Sequence, residues 1–136
     1  MKNFLVIIIS LFTTTAIMAQ ESAQEVSGPV MTFEKEQHDF GEIYQGDKVE
    51  HVFEFENTGN EPLIISNVQT TCGCTAPEWP RDPVAPGQTG KIKVVFNSAG
   101  KIGRQHKVIT IVSNATNPRN RVIITTNVLP KKDDGQ

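Results

Sequence analysis

Two cysteines separated by a single glycine, Cys72-Gly73-Cys74, are the only thiols in this chain of 136 residues. Three chemistries are open to such a pair. The first is a disulfide between them. In an extended strand the two α-carbons would stand about 6.6–6.8 Å apart, at the outer edge of what a disulfide tolerates. Gly73, lacking a β-carbon, can bend the backbone and draw the sulfurs together. So small a ring would be strained and readily reduced, and it would add little stability through loop entropy. The second is a grip by two thiolates on a soft ion such as copper(I) or zinc. Structural zinc takes about four ligands, and the remaining donors, His38, His51 and His106, share no ligand spacing with each other or with the pair. The third is plain packing, with Cys72 and Cys74 as small side chains at a strand end. Cys72 and Cys74 are therefore the disulfide candidate and, in the alternative, a thiol redox or copper(I) site. No metal or cofactor is assigned.

Directly after the pair comes Pro77-Glu78-Trp79-Pro80-Arg81-Asp82-Pro83, which holds the one tryptophan. Trp79 is expected to cover an end of the domain while the prolines stiffen the loop. The competing role is an anchor for a partner, because Trp and Arg are enriched in binding hot spots. Trp79 and Arg81 are the candidate partner-binding residues. Other constellations carry less. The carboxylate pairs Glu34 with Glu36 and Glu54 with Glu56 sit one strand repeat apart and read as solvated edges rather than as acid–base pairs. No nucleophile elbow or phosphate-cradling glycine loop is present. No catalytic residue is assigned, and the chain is expected not to be an enzyme. Asn114-Ala115-Thr116 reads as a loop motif.

The elements that must position these residues are short β-prone runs between turn signals. In Val49 to Glu56 the apolar positions 49, 53 and 55 alternate with acidic 50, 54 and 56, the pattern of a strand with one face in a core. His51 falls on the inward parity, where a partly buried imidazole is expected. Ile92, Val94 and Phe96 alternate with Lys91, Lys93 and Val95, and Val122, Ile124 and Val128 share one parity. Leu63-Ile64-Ile65 and Val108 to Val112 alternate less and are expected as central strands covered on both sides. Asn57-Thr58-Gly59-Asn60 reads as a turn. No sustained helical spacing appears, so the fold class is an all-β, antiparallel sandwich of about seven to eight strands.

The N-terminus places the domain. Lys2 precedes the apolar block Phe4–Phe12, and Ala19 offers a small residue before a cut, the order of a signal peptide. Residues 1–19 are expected to be removed, 20–30 to form a linker, 31–130 the domain and 131–136 a solvated tail. The block is too short for a permanent span, so a periplasmic or secreted, soluble product is expected. Net charge is −2 with scattered basic residues, which argues against nucleic acid as a partner.

His38-Asp39-Phe40-Gly41-Glu42-Ile43, Gly46, and Phe53-Glu54-Phe55-Glu56-Asn57-Thr58-Gly59 resemble the opening of an immunoglobulin-like domain of the major-sperm-protein and PapD type. With Cys72-Gly73-Cys74-Thr75, Pro86-Gly87, Val94-Val95-Phe96 and Val112-Ser113-Asn114 they resemble a family of exported bacterial proteins catalogued as domain of unknown function 1573, over roughly residues 32–128. The resemblance implies an immunoglobulin-like sandwich, with Phe40 set into the core, Gly41 relieving a bend or bulge, and Gly or Asn at positive φ in the turn at 57–60. By analogy of fold alone, it also implies a non-enzymatic binding or assembly module whose partner is another exported or cell-envelope protein.

Overall fold

A computed structural model of the protein describes residues 27–71 and 73–133. The strands in chain order are β1 (Met31–Phe33), β2 (Gln37–Tyr44), β3 (Lys48–Asn57), β4 (Ile65–Thr70), β5 (Cys74–Glu78), β6 (Thr89–Asn97), β7 (Gly103–Ser113) and β8 (Arg119–Leu129). They form two four-stranded sheets, ordered β1-β3-β6-β5 and β2-β8-β7-β4. The signal peptide over 1–19, the first part of the linker through Val26 and the last residues of the tail lie outside the described residues, as does Cys72.

Alternation decides which face of each strand is buried. On β3 the inward side chains are Val49, His51, Phe53, Phe55 and Asn57, and on β6 they are Ile92, Val94 and Phe96. The opposite sheet contributes Ile109 and Ile111 from β7 and Val122, Ile124 and Val128 from β8, all essentially without solvent contact. Burying side chains of this size contributes about 1.5–3 kcal/mol each, so the interleaved stripe is the main source of cohesion. Glu34, Glu36, Glu54 and Glu56 face solvent. Phe55 lies across from Gly90 in the β3–β6 ladder, and a β-carbon there would fall 2.4 Å from the Phe55 ring, so only glycine lets that ring lie flat.

Pairing is antiparallel except for β2 with β8, which run parallel. An antiparallel sandwich therefore holds for the body of both sheets and yields at one edge. The chain leaves β1, crosses to the second sheet through residues 34–36, and must then run beside β8 in the same direction. β2 carries a bulge between Asp39 and Glu42. Gly41 sits there at φ +72°, its N–H donating to Asp39 Oδ1 at 2.8 Å and its carbonyl accepting from Thr126 Oγ1 at 2.8 Å. Phe40 packs against the core beside it.

Two local expectations change. Leu63-Ile64-Ile65 is not a central strand: Leu63 makes an isolated bridge to Val84, Ile64 is exposed, and Ile65 opens the edge strand β4. The three apolar residues serve a loop approach and an edge instead of one doubly covered strand. Val108–Val112 does lie in a central strand, β7, but it is fully covered on one face alone: Ile109 and Ile111 are buried, while Val108, Thr110 and Val112 on the other face are half-buried. The 57–60 turn uses no positive φ, since none of its non-glycine residues has one and Gly59 is not among the glycines that do. The turn is held by the Asn57 side chain, which is fully buried. Its Oδ1 accepts from the N–H groups of Val30 (3.2 Å) and Gly59 (3.1 Å), and its Nδ2 donates to the carbonyls of Glu61 (2.7 Å) and Val84 (2.9 Å). Gly59 is required for a different reason: a β-carbon would strike the Gly28 carbonyl and the Val30 amide nitrogen.

Candidate functional site

The segment singled out for its chemistry is the passage from β4 to β5, where the chain crosses between sheets. Gly73 adopts φ +91°, a left-handed conformation that side chains resist, so the backbone bends at the residue between the cysteines. The bend is fixed by three hydrogen bonds. Cys74 N–H donates to the Thr71 carbonyl at 3.0 Å, Thr70 Oγ1 donates to the Cys74 carbonyl at 2.9 Å, and Asn97 N–H donates to the Gly73 carbonyl at 3.0 Å. Cys74 is buried and stands opposite Phe96 in the β5–β6 ladder. The disulfide, metal and redox readings all require Cys72, which lies outside the described residues. Among the described residues no group of three or more His, Cys, Asp or Glu side chains is placed to hold a metal ion.

β5 is an edge strand with a register shift between Thr75 and Glu78, and Pro77 falls within that shift. Proline lacks a ladder donor and is confined to such places. Trp79 follows, half-buried against the core. The guanidinium carbon of Arg81 lies 3.5 Å from its ring centroid, while Arg81 itself is exposed. Trp79 thus closes the end of β5 with one side toward the core, and the neighbouring arginine covers its ring.

The histidines divide. His106 is exposed on β7. His38 on β2 and His51 on β3, which share no motif spacing, are brought face to face across the two sheets, with ring centroids 3.7 Å apart and planes within 8°. Phe40 meets His38 edge-on at 4.6 Å, and Phe53 meets His51 edge-on at 4.7 Å. Stacked rings direct their nitrogens sideways in parallel planes, which suits packing rather than chelation of one ion. Burial lowers the His51 pKa from its usual 6.5, and the neighbouring His38 and then Lys35 lower it further. Nothing in the spacing of residues 38 and 51 announces this contact. The available signal was the inward parity of His51 together with the inward His38-Asp39-Phe40 alternation.

Below the stack, the outer face of β3 and β6 is lined by ion pairs between Lys91 and Glu54 (3.5 Å) and between Lys93 and Glu50 (3.3 Å). Exposed pairs of this kind contribute about 0–1 kcal/mol each. Beside them an open cleft of about 420 Å³ is lined by residues that include Lys35, His51, Val52 and Glu54.

Residues 31–128 match a family model described as Protein of unknown function (DUF1573). No curated protein matches the chain in sequence. Among solved structures, a protein of unknown function from Porphyromonas gingivalis W83 is similar at 20% identity and a TM-score of 0.64, over 80% of this chain and 51% of that one. The secreted serine protease VesC from Vibrio cholerae is similar at 14% identity and a TM-score of 0.59, over 74% of this chain and 23% of that one. The chain thus spans about half the length of the first and under a quarter of the second. An ASH/PapD-like domain of human CEP192 is similar at 10% identity and a TM-score of 0.62, over 96% of this chain and all of that one. At these identities the likeness is one of fold, and it places the chain among PapD-like, immunoglobulin-like sandwiches.

Proposed function

The chain belongs to the family described as Protein of unknown function (DUF1573), and from that premise we propose that it is a non-enzymatic binding or assembly module of the bacterial cell envelope, exported by residues 1–19. The surface assigned to a protein partner is the loop from Thr71 to Pro83. The observation that supports this reading is the exposed Arg81 guanidinium lying 3.5 Å over the half-buried Trp79 ring. An arginine already held against an aromatic face loses little freedom when a partner arrives. Its outward N–H groups remain free to meet a carboxylate in two parallel bonds.

Photo-crosslinking in cells producing the full chain, from a photoreactive residue in place of Asp82, tests the assignment. A discrete adduct with an envelope protein is expected, lost on Trp79→Ala and kept when both cysteines become serine. An adduct indifferent to Trp79→Ala, together with thiol exchange or copper uptake that vanishes in the double serine variant, would favour the redox alternative. The intact mass of the exported product reads the cut, expected before Gln20.

A further inference from the structure

β2 and β3 lie in different sheets, and they are joined by different means at their two ends. At the Tyr44 end the join is covalent and polar. The turn 45–47 links the strands, the Asp47 N–H donates to the Tyr44 carbonyl at 3.0 Å, and the Ser98 hydroxyl is shared between the carbonyls of Tyr44 (2.9 Å) and Asp47 (2.8 Å). At the other end, among the described residues, no hydrogen bond links residues 37–43 to β3. Four rings make the join instead: Phe40 edge-on to His38, His38 stacked on His51, and His51 edge-on to Phe53. Both histidines are half-buried, and among the described residues neither ring takes part in a hydrogen bond or an ion pair. Imidazole is the side chain whose charge changes nearest neutral pH. Two neutral rings, or one cation on a neutral ring, can lie face to face. Two cations with centroids 3.7 Å apart repel strongly, with no room for water between them.

We propose that the His38–His51 stack is an acid-operated latch: closed, it holds at most one proton, and a second proton drives the rings apart and opens the seam between β2 and β3 while both sheets keep their ladders. The charged neighbours do not cancel that repulsion. On the crossing, Glu34 and Glu36 flank Lys35, and all three are exposed. On β2, Asp39 Oδ1 accepts from the Gly41 N–H at 2.8 Å. On β3 and β6, Glu54 pairs with Lys91 and Glu50 with Lys93. β1 has no titratable residue, and neither do Ile123, Ile124 and Thr125 of β8 beside His38. Glu34 and Glu54 line the cleft next to His51 together with Lys35 and Lys91, so each carboxylate there has a cation beside it. Burial, His38 and Lys35 all act against a charge on His51. The pinned Tyr44 end serves as the hinge. What moves is the crossing 34–36 with the rings of His38 and Phe40, and their departure admits water to Phe53, now buried beneath the stack. The domain thus has two shapes selected by acidity. β6 separates β3 from β5, so the latch and the Trp79 loop assignment succeed or fail separately.

The test is an NMR titration of the full, isotope-labelled chain from about pH 8 to about pH 4. It reads the Hε1 shifts of His38 and His51, the proton contacts between their rings, and amide exchange in β7 and β8. Expected are two midpoints for the pair, separated by more than about 1 pH unit. The contacts between the two rings should vanish through the lower midpoint alone, with β7 and β8 protected across it. His38→Phe and His51→Phe each keep a stack with a single titrating ring, so in both the contact should persist to about pH 4. Coincident midpoints, ring contacts that survive the lower midpoint, β7–β8 exchange that rises with it, or a stack lost at the same pH in both variants would overturn the proposal.

Discussion

The chain crosses between sheets early at residues 34–36 and again at 71–73, and the two crossings are built on opposite plans. At the second, the backbone is clamped: a left-handed glycine, three hydrogen bonds and a buried Cys74 seat the turn against Phe96. The edge it feeds, β5, is broken by a register shift at Pro77. At the first, the crossing residues 34–36 are all exposed, and the sheets are joined above them by side chains, the stacked pair His38 and His51. The edge left behind there is straight and contains no proline. Sheet edges invite pairing unless they are blunted by bulges, proline or charge. This domain blunts one edge with backbone devices and guards the other with charged side chains of both signs, Lys35, Lys48 and Glu50 among them.

The largest expected effect separates the two seams by packing. Phe96→Ala beneath the clamped crossing should cost about 3–5 kcal/mol, and Phe40→Ala beside the histidine stack about 1–2 kcal/mol, because Phe40 is only half-buried. Urea unfolding of both variants gives the comparison, and equal losses would mean the seams are equally tight. A smaller effect tests the backbone. Gly73→Ala should cost about 2 kcal/mol from its φ of +91° and a β-carbon 3.3 Å from the Phe96 ring. Lys35→Gly at the exposed crossing should stay within about 0.5 kcal/mol.

The smallest effect concerns acid. Burial, His38 and Lys35 all disfavour the charged form of His51, so below pH 6.5 the unfolded chain takes up a proton more readily than the folded one. Stability is fully present above that value and declines as pH falls through the lowered His51 pKa. Glu34 and Glu54 line the cleft beside His51, but the groups that bear on the charge of its ring are His38 and Lys35, neither of them an anion that could offset it. His51→Phe should flatten the decline between pH 7 and 5 relative to the parent in thermal melts. An unchanged slope would show that the stack does not titrate.

Much of this architecture was legible in the chain. Alternation at residues 49–55, 92–96 and 122–128 marks the buried stripe because period-two burial is a local property of a strand. The family resemblance at Asp39-Phe40-Gly41 implied a bend or bulge, and the bulge is there because left-handed backbone has few tenants other than glycine. Non-local geometry was not legible. The four hydrogen bonds of Asn57 reach across the chain to Val30 and Val84, and no spacing encodes that reach, so a turn motif was read where a buried staple sits. The thiol pair remains half-read, because Cys74 is placed and Cys72 lies outside the described residues.

The parallel pairing of β2 with β8 sets an order of events during biosynthesis. β2 is an edge strand whose one ladder partner is the last strand of the domain. A chain emerging from its N-terminus must hold residues 37–44 unpaired until residues 119–129 follow. Closure over so long a loop is slow, and a product truncated before Arg119 would carry β2 without its ladder. Completion of the domain is thus reported by its earliest second-sheet strand finding its latest.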